Sequence, residues 1–387
     1  MALYIDPRTA DTVIGIMRIL QSSNIYLGRS FSGTAFHGEK LRTVIKSAFS
    51  RIIDLSREQS ADLVILAGDT FANIDISQNL LNFFLQEIKR LEQTPVVIMP
   101  GVSDPYSKES FWEQWVVSSP AKNLYILTGG DRALVRVPEL SAKIYGYPPS
   151  HVGILGSWPM AMDKDADCSR HLAIIYGDVS AAGAANDIDG SINYEKLASA
   201  PFDYIALGGR TSYASLIDSG VKAAYSGSPL ALGRDWNDSG NVLVVELRDN
   251  SVTASRIPLN GVVWKEIEIP MESAANIDDL KTRLLEMSGD NVLLKVTLSG
   301  LALLEAGFNF GYLREQLESN FLDLEFADKT SVLPHNVSEI KVREKTILGQ
   351  YLKVMVEKLN NSSGEAKKNL EESLKAGYSV LSGREFR

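Results

Sequence analysis

Short, wholly apolar segments that alternate with amphipathic segments are the feature that most constrains this fold. Leu63–Leu66 and Val96–Met99 are apolar throughout, and each leads into a glycine-containing loop. Over 40–56 and 76–92, apolar residues recur at the i, i+3, i+4, i+7 spacing of a helix with one buried face. Buried strands joined by helices are typical of a sheet covered on both faces. We therefore predict an α/β layered domain whose first strand begins near Met17.

Beyond the second helix the chain returns to strands. Short strands are predicted near 141–147, 171–176 and 203–208, and β-hairpins over 221–258 with a turn at Asp249-Asn250. In layered α/β sheets, ligand sites lie at the carboxyl ends of the strands. The loops that follow these strands are therefore the candidates for function.

Changes of pattern divide the chain into segments. Residues 1–16 match nothing that follows, and Met1 and Met17 are both candidate translation starts. The last segment is predicted as two amphipathic helices separated by the turn at 360–364. We predict an extension over residues 1–16, a layered domain over 17–261, a small α+β cap domain over 262–332 and a helical hairpin over 333–387.

Charge and composition argue against several classes of protein. The formal net charge of -9 disfavours indiscriminate nucleic-acid binding, although it leaves a local basic strip open. No apolar run is long enough to cross a bilayer, and the N-terminus does not have the pattern of a secretory signal. The single cysteine, Cys168, fits a reducing compartment. We therefore expect a cytoplasmic protein without a membrane segment.

The loops after the strands resemble those of a known family. In chain order they are Asn24-Ile25-Tyr26-Leu27-Gly28, Gly68-Asp69-Thr70-Phe71-Ala72-Asn73, Gly101-Val102-Ser103-Asp104, Tyr176-Gly177 and Asp203-Tyr204 leading into Gly208-Gly209-Arg210-Thr211. Their order and spacing resemble the calcineurin-like metallophosphoesterases, most closely the DNA-repair exonucleases of the SbcD and YhaO type. That family has DxHLG, GDxxD, GNHD, His-Gly and DYxALGHxH in these places. The resemblance implies a four-layer β-sandwich flanked by helices, with a small cap domain and C-terminal helices.

The family chemistry is phosphodiester hydrolysis by two divalent ions about 3.5–4 Å apart. Its ligand positions correspond here to Asn24, Tyr26, Asp69, Val102, Tyr176, Gly209 and Thr211. The protonating histidine corresponds to Ser103, and the last aspartate of GDxxD to Ala72. Among the ligands only the bridging carboxylate, Asp69, is kept, and every expected imidazole is replaced. We therefore predict a degenerate metal site and no cofactor.

The four histidines of the chain lie away from these positions. They are His37, His151, His171 and His335. We interpret each as a solvated or capping residue rather than a metal ligand. His37 keeps some interest because its loop follows the first motif and could fold over the cleft.

Asp69 and Asp104 allow two interpretations. With the Asn24 carbonyl oxygen they could hold one weakly bound Mg²⁺ or Mn²⁺ ion. Alternatively, Asp69 accepts backbone N–H bonds in a tight loop, and Asp104 caps a helix that starts near Lys108. We favour the second interpretation, because Mg²⁺ sites with so few carboxylates usually also rely on substrate phosphate.

A buried Asp69 without metal ions would need another source of compensation. Tyr26 and Tyr176 carry hydroxyl donors, and Asn24 carries an amide donor. We therefore predict that at least one of these residues, or Arg29, lies within hydrogen-bond distance of Asp69 or Asp104. The aromatic residues Phe111, Trp112 and Trp115 are at helical spacing and are predicted to pack in the core.

The leading hypothesis is a pseudoenzyme, a catalytically degenerate SbcD-like subunit that works by binding. The resemblance implies a homodimer and docking of the C-terminal helices onto an SMC-like ATPase of the SbcC type. Alternatively, the apolar stripes of those helices pack on this chain's own domains. A second hypothesis is a divergent phosphoesterase or exonuclease with a reduced metal site. A third is a module that binds nucleotides or DNA ends without hydrolysis, which the acidic charge balance mildly disfavours.

Overall fold

The computed structural model describes most of the chain. The described residues are 15–31, 38–129, 133–149, 168–180, 191–233, 236–249, 251–259, 261–274, 276–299, 301–303, 310–333 and 346–381. They form two compact units that meet in sequence at Val262 and Val263. All but the last two residues of the predicted extension 1–16 lie outside the described residues.

The first unit alternates strands and helices in its first half and is mostly β in its second. Its elements are β1 (Met17–Ser22), α1 (Gly38–Glu58), β2 (Leu63–Ala67), α2 (Gln78–Lys89), β3 (Val96–Met99), α3 (Phe111–Ser118), β4 (Leu124–Ile126), β5 (Leu134–Val137), β6 (Ala142–Tyr147), β7 (Arg170–Tyr176), α4 (Tyr194–Ser199), β8 (Tyr204–Gly208), β9 (Ala214–Ser215), β10 (Ala223–Tyr225), β11 (Asn241–Leu247) and β12 (Val252–Pro258).

These strands form two six-stranded sheets, β12-β11-β1-β2-β3-β4 and β5-β6-β7-β8-β10-β9. Strands β1 to β4 are parallel to one another, as are β6, β7, β8 and β10. Strand β11 runs antiparallel to β1 and forms the predicted hairpin with β12. The carboxyl ends of β1, β2 and β3 therefore share one edge of the first sheet, and those of β7 and β8 share one edge of the second.

The main core lies between the two sheets. Ile65 and Met99 of the first sheet belong to the same buried cluster as Leu172 and Ala206 of the second. The opposite face of the second sheet packs with Leu197 of α4 in a separate buried cluster. Buried residues of α1, α2 and α3 supply the helical layer of the first half. The four-layer α/β architecture predicted from the sequence is therefore present.

The predicted helices differ from the observed ones mainly at their ends. Helix α2 begins at Gln78 rather than at residue 76, because the Ser77 hydroxyl accepts a hydrogen bond from the Leu80 N–H and caps the helix. The predicted packing of the α3 aromatics is confirmed, since Phe111, Trp112 and Trp115 are all buried.

The second unit begins with a strand–helix–strand–helix–strand order, as the sequence predicts for this small domain, and its three main strands are parallel. Its elements are β13 (Val263–Pro270), α5 (Ile277–Leu285), β14 (Gly289–Ser299), β15 (Leu301–Leu303), α6 (Phe310–Leu317), β16 (Phe321–Asp328), β17 (Ser331–Leu333), α7 (Ile347–Asn360) and α8 (Gly364–Leu381). Strands β13, β14 and β16 form a parallel sheet with β14 in the centre. The short pair β15 and β17 was not predicted.

Helices α7 and α8 form the predicted hairpin. Leu352, Met355 and Leu359 of α7 pack with Leu374 of α8 in a cluster of their own. The Tyr351 hydroxyl donates to the Ser373 carbonyl oxygen across the pair at 2.5 Å. At least part of each apolar stripe is therefore used within the hairpin. The predicted segment before α7, at 334–345, lies outside the described residues.

Candidate functional site

The loop after β1 pairs with the loop after β2 through their backbones. The N–H groups of Asn24, Tyr26 and Leu27 donate to the carbonyl oxygens of Gly68, Asp69 and Thr70 at 3.0, 3.1 and 2.9 Å. Asn24, Tyr26 and Asp69 all adopt a positive φ, of 54°, 57° and 51°. This conformation is uncommon for non-glycine residues and for a tyrosine in particular, so the surrounding contacts must hold it in place.

Asp69 is the centre of the site, and both of its carboxylate oxygens accept hydrogen bonds. The backbone N–H of Ser103 donates to Oδ1 at 2.7 Å. The hydroxyl of Tyr176 and the amide of Asn24 donate to Oδ2 at 2.5 and 3.1 Å. The carboxylate is 1% exposed. Within the described residues, neutral donors from three segments of the chain therefore compensate its charge. The prediction that at least one of Tyr26, Tyr176, Asn24 and Arg29 reaches Asp69 or Asp104 is confirmed, by Tyr176 and Asn24.

The ring of Tyr176 lies between two glycines. A Cβ atom on Gly68 would be 2.5 Å from Tyr176 Cδ2, and one on Gly209 would be 3.1 Å from Tyr176 Cε1. The absence of side chains at these positions therefore makes room for the ring. Position 209 is a metal-ligand position of the resembled family, so a histidine there would compete with Tyr176 for space.

The two phenols of the site are held neutral. Burial, with the nearby charge of Asp69 next in importance, raises the pKa of Tyr176 far above its ordinary value. The same two causes raise the pKa of Tyr26, whose hydroxyl accepts a hydrogen bond from the Asn24 amide at 2.9 Å. Because each phenol keeps its proton, the Tyr176 hydroxyl remains available to Asp69 as a donor.

Asp104 does not cap a helix, contrary to the sequence-based interpretation. It is fully buried, and its two oxygens accept the backbone N–H groups of Phe71 and Gly101 at 2.9 and 2.6 Å. Helix α3 begins later, after Ser110. Burial raises the pKa of Asp104 well above the usual range of an aspartate. Asp104 therefore ties the loop after β2 to the loop after β3.

The remaining predicted positions present little side-chain chemistry. Val102 is 63% exposed, and Thr211 accepts the Ser228 N–H through its backbone oxygen at 2.8 Å. The side chain of Arg210 is 44% exposed, and its Nε atom lies 3.8 Å from Asp178 Oδ1. Ala72 donates its N–H to Leu27.

His171 is the one histidine among the described residues, and it is not a hydrogen-bond partner of Asp69. His171 is buried rather than solvated, and its ring stacks with Tyr145 at a centroid distance of 6.3 Å. The other three histidines, His37, His151 and His335, lie outside the described residues. Their interpretation as solvated or capping residues stays a prediction. In the described part of the chain, no group of three or more His, Cys, Asp or Glu residues could hold a metal ion.

The donors around Asp69 do not fit the two-metal centre of the resembled family. Such a centre needs several carboxylate and imidazole ligands and a carboxylate with free lone pairs. Here both Asp69 oxygens already accept hydrogen bonds, and position 209 offers no side chain. One acceptor is left over, since the buried Asn24 Oδ1 has no hydrogen-bond partner.

Sequence reasoning missed an aromatic cluster beside this site and the close approach of the two sheets. The cluster places Arg29 over the rings of Tyr26 and Trp236, which come from distant segments. A Cβ atom on Gly208 would lie 1.8 Å from the Ala67 carbonyl oxygen. The one available signal was the pair Gly208-Gly209 at a strand end, which marks a close backbone approach.

The chain was compared with known proteins. No family model matches it. It is 21% identical over 310 residues to the uncharacterized metallophosphoesterase YhaO of Bacillus subtilis (strain 168), covering 75% of this chain and 74% of that protein. The chain is thus metallophosphoesterase-like over three quarters of its length.

Two bacterial proteins are among the solved structures that align with this chain. The protein TT1561 of Thermus thermophilus aligns with a TM-score of 0.37 and 11% identity, over 62% of this chain and 99% of its own. The calcineurin-like phosphoesterase YfkN of Bacillus subtilis aligns with a TM-score of 0.36 and 12% identity, over 64% of this chain and 91% of its own. No helix in the described ranges is long and apolar enough to cross a membrane.

Proposed function

We propose that this chain is a catalytically degenerate, SbcD-like member of the metallophosphoesterases that acts as a binding or scaffold subunit. The observation that carries the proposal is the hydrogen bonding of Asp69. In a two-metal hydrolase this carboxylate would bridge the ions, and here Tyr176, Asn24 and the Ser103 N–H occupy its oxygens. These three hydrogen bonds use three of the about four lone-pair sites of the carboxylate, so it would have to lose at least one of them in order to bridge two ions.

Purified protein is expected to contain no stoichiometric Mn²⁺, Zn²⁺ or Fe and to show no Mn²⁺-stimulated exonuclease activity. Elemental analysis after dialysis and a nuclease assay with excess Mn²⁺ measure the two properties. Asp69→Ala tests any residual turnover, with the exposed Asp75→Ala as the matched control. Two tightly bound metal equivalents, or turnover that disappears only in Asp69→Ala, would contradict the proposal.

A divergent phosphoesterase with a reduced metal site is the competing function. One observation favours it: the Asn24 Oδ1 atom is buried, lacks a hydrogen-bond partner and belongs to the same side chain that touches Asp69. A single weak ion that used Asn24 Oδ1 together with Asp69 Oδ2 would compete with the Tyr176 hydroxyl for that carboxylate oxygen. Tyr176→Phe should therefore increase Mn²⁺ binding if this alternative is correct.

As a scaffold subunit, the chain is proposed to dock onto an SMC-like ATPase through α7 and α8. Among the described side chains of this hairpin, four large apolar ones are exposed: Ile347 (77%), Val354 (48%), Val380 (62%) and Leu381 (38%). Ile347 and Val354 are seven residues apart on one helix and so lie on the same face. An exposed apolar helix face of this kind fits helix-mediated binding of a partner protein.

The double substitution Ile347→Asp with Val354→Asp is expected to abolish co-purification with an SbcC-type ATPase. Charges on the exposed face disrupt an apolar interface but leave the buried Leu352, Met355 and Leu359 untouched. Circular dichroism and the melting temperature should match those of the parent. Val117→Asp introduces a charge at a 74% exposed valine of the first unit and serves as the control. Unchanged capture by the double variant would place the docking surface elsewhere.

A further inference from the structure

The side chain of Arg29 lies in an aromatic cluster beside the Asp69 site. Its guanidinium carbon is 5.0 Å from the ring centroid of Trp236 and 5.6 Å from the centroids of both Tyr26 and Phe31. Contacts at these distances are favourable cation–π interactions. The Arg29 N–H also donates to the Tyr26 carbonyl oxygen at 3.1 Å, which fixes the backbone of the turn. Both ends of the residue are thus held in place.

Arg29 differs from other shielded arginines of the first unit because it has no carboxylate partner. The comparable ones that are not fully exposed each form an ion pair: Arg18 with Glu246 at 3.2 Å, Arg170 with Asp249 at 3.3 Å, and Arg90 with Asp54 and Glu87. Within the described residues, Arg29 has ring contacts and no ion pair. It therefore carries a half-buried positive charge without a negative one.

Aromatic faces compensate charge but do not accept the directed hydrogen bonds that a guanidinium can donate. The five N–H donors of arginine form a planar fork that matches the oxygens of phosphate or carboxylate groups. Burial also lowers the pKa of Arg29 below its ordinary value, because desolvation disfavours the charged form. A half-buried cation of this kind gains more from an anion than an exposed cation does.

The choice of anion follows from the chemistry of the guanidinium. Its planar fork pairs with two oxygens of an anion, and a phosphate group offers more oxygens and more negative charge than a carboxylate does. The charge of Asp69 is already compensated by its own donors.

We propose that Arg29, flanked by Tyr26 and Trp236, binds a phosphate group without a metal ion. The site shares Tyr26 with the Asp69 centre, but the anion is held by a guanidinium rather than by ligated cations. The inference does not depend on whether the chain has lost hydrolysis. Inorganic phosphate is the simplest probe, since a free phosphate and the phosphate of a larger ligand share this chemistry.

The test is a titration of the intact protein with inorganic phosphate in the presence of EDTA at constant ionic strength. Trp236 is a built-in reporter, because an anion on Arg29 alters the charge next to its ring. Tryptophan fluorescence and the melting temperature should both change saturably. Trp236→Phe should lose the fluorescence response and keep the thermal one. AMP and single-stranded DNA, titrated in parallel, distinguish a small phosphate ligand from a nucleic acid.

Arg29→Met is expected to weaken phosphate binding about tenfold or more, the loss of a charge-assisted hydrogen-bonded pair. Arg57→Met removes an equal charge from an exposed position of α1 and should bind like the parent. Arg29→Lys keeps the charge without the planar fork, so it should bind phosphate with intermediate affinity. This variant replaces Arg29→Met in the comparison if the methionine variant does not fold. Equal binding by parent, Arg29→Met and Arg29→Lys would overturn the proposal, as would acetate binding as tight as that of phosphate.

Discussion

Gly208→Ala is expected to destabilise the first unit by about 4 kcal/mol or more, among the largest effects a single methyl group can have. The added Cβ atom would lie 1.8 Å from the Ala67 carbonyl oxygen and 2.9 Å from its carbonyl carbon. Both atoms belong to the backbone of a strand in the facing sheet, so neither can turn away as a flexible side chain would. Overpacking of a core at such a contact forces the sheets apart.

Urea unfolding followed by circular dichroism measures this loss in the free energy of unfolding. The loss should be easy to detect, because the free energy of unfolding of an ordinary domain is only about 5–15 kcal/mol. Gly15→Ala is the matched control, since a Cβ atom there meets nothing within 4 Å. Gly220→Ala separates conformational from steric effects: its φ is 84°, but its Cβ atom would also meet nothing. A Gly208→Ala protein as stable as the Gly220→Ala protein would show that the sheets are not in such close contact.

Asp69→Ala is expected to destabilise the first unit by about 4 kcal/mol, with or without EDTA. The substitution leaves the Tyr176 hydroxyl, the Asn24 amide and the Ser103 N–H without their acceptor. A buried donor without an acceptor costs about 1–3 kcal/mol. Tyr176→Phe removes one donor and retains the other two, so it should cost roughly 2 kcal/mol.

Chemical unfolding in metal-free buffer measures the loss in the free energy of unfolding. The same measurement in excess Mn²⁺ shows whether that loss depends on metal. Asp75→Ala is the control, because Asp75 is exposed and lies outside the network. If Asp69 instead held a bound ion, Mn²⁺ would stabilise the parent and not Asp69→Ala. A parent protein whose stability rises with Mn²⁺ would therefore contradict the hydrogen-bonded account of this carboxylate.

Two features could be predicted from the sequence: the buried strands of the first sheet and the contact between Asp69 and Tyr176. Leu63–Ala67 and Val96–Met99 were found because a strand buried on both faces is apolar at every position. The contact between Asp69 and Tyr176, which are 107 residues apart, followed from the family resemblance together with the cost of burying an unpaired charge. Neither prediction needed the structure of the loops themselves.

The role of Asp104 and the Arg29 cluster could not be predicted, because both depend on how loops fold in space. Asp104 looked like a helix cap in sequence, yet its acceptors are used by the N–H groups of Phe71 and Gly101. Trp236 and Arg29 are far apart in sequence and belong to no shared motif. The strands β15 and β17 are each three residues long, too short for a periodic pattern.

The antiparallel pairing of β1 with β11 has a consequence for how the chain is made. Gln21 pairs with Leu243, so the first strand synthesised waits for one of the last strands of its unit before its sheet is complete. During that interval one edge of β1 is exposed and can pair with other chains. Contacts between such distant residues slow folding, and domains generally fold as units during translation. A nascent chain that ends before Leu243 therefore presents an edge of β1 that the complete unit covers with β11.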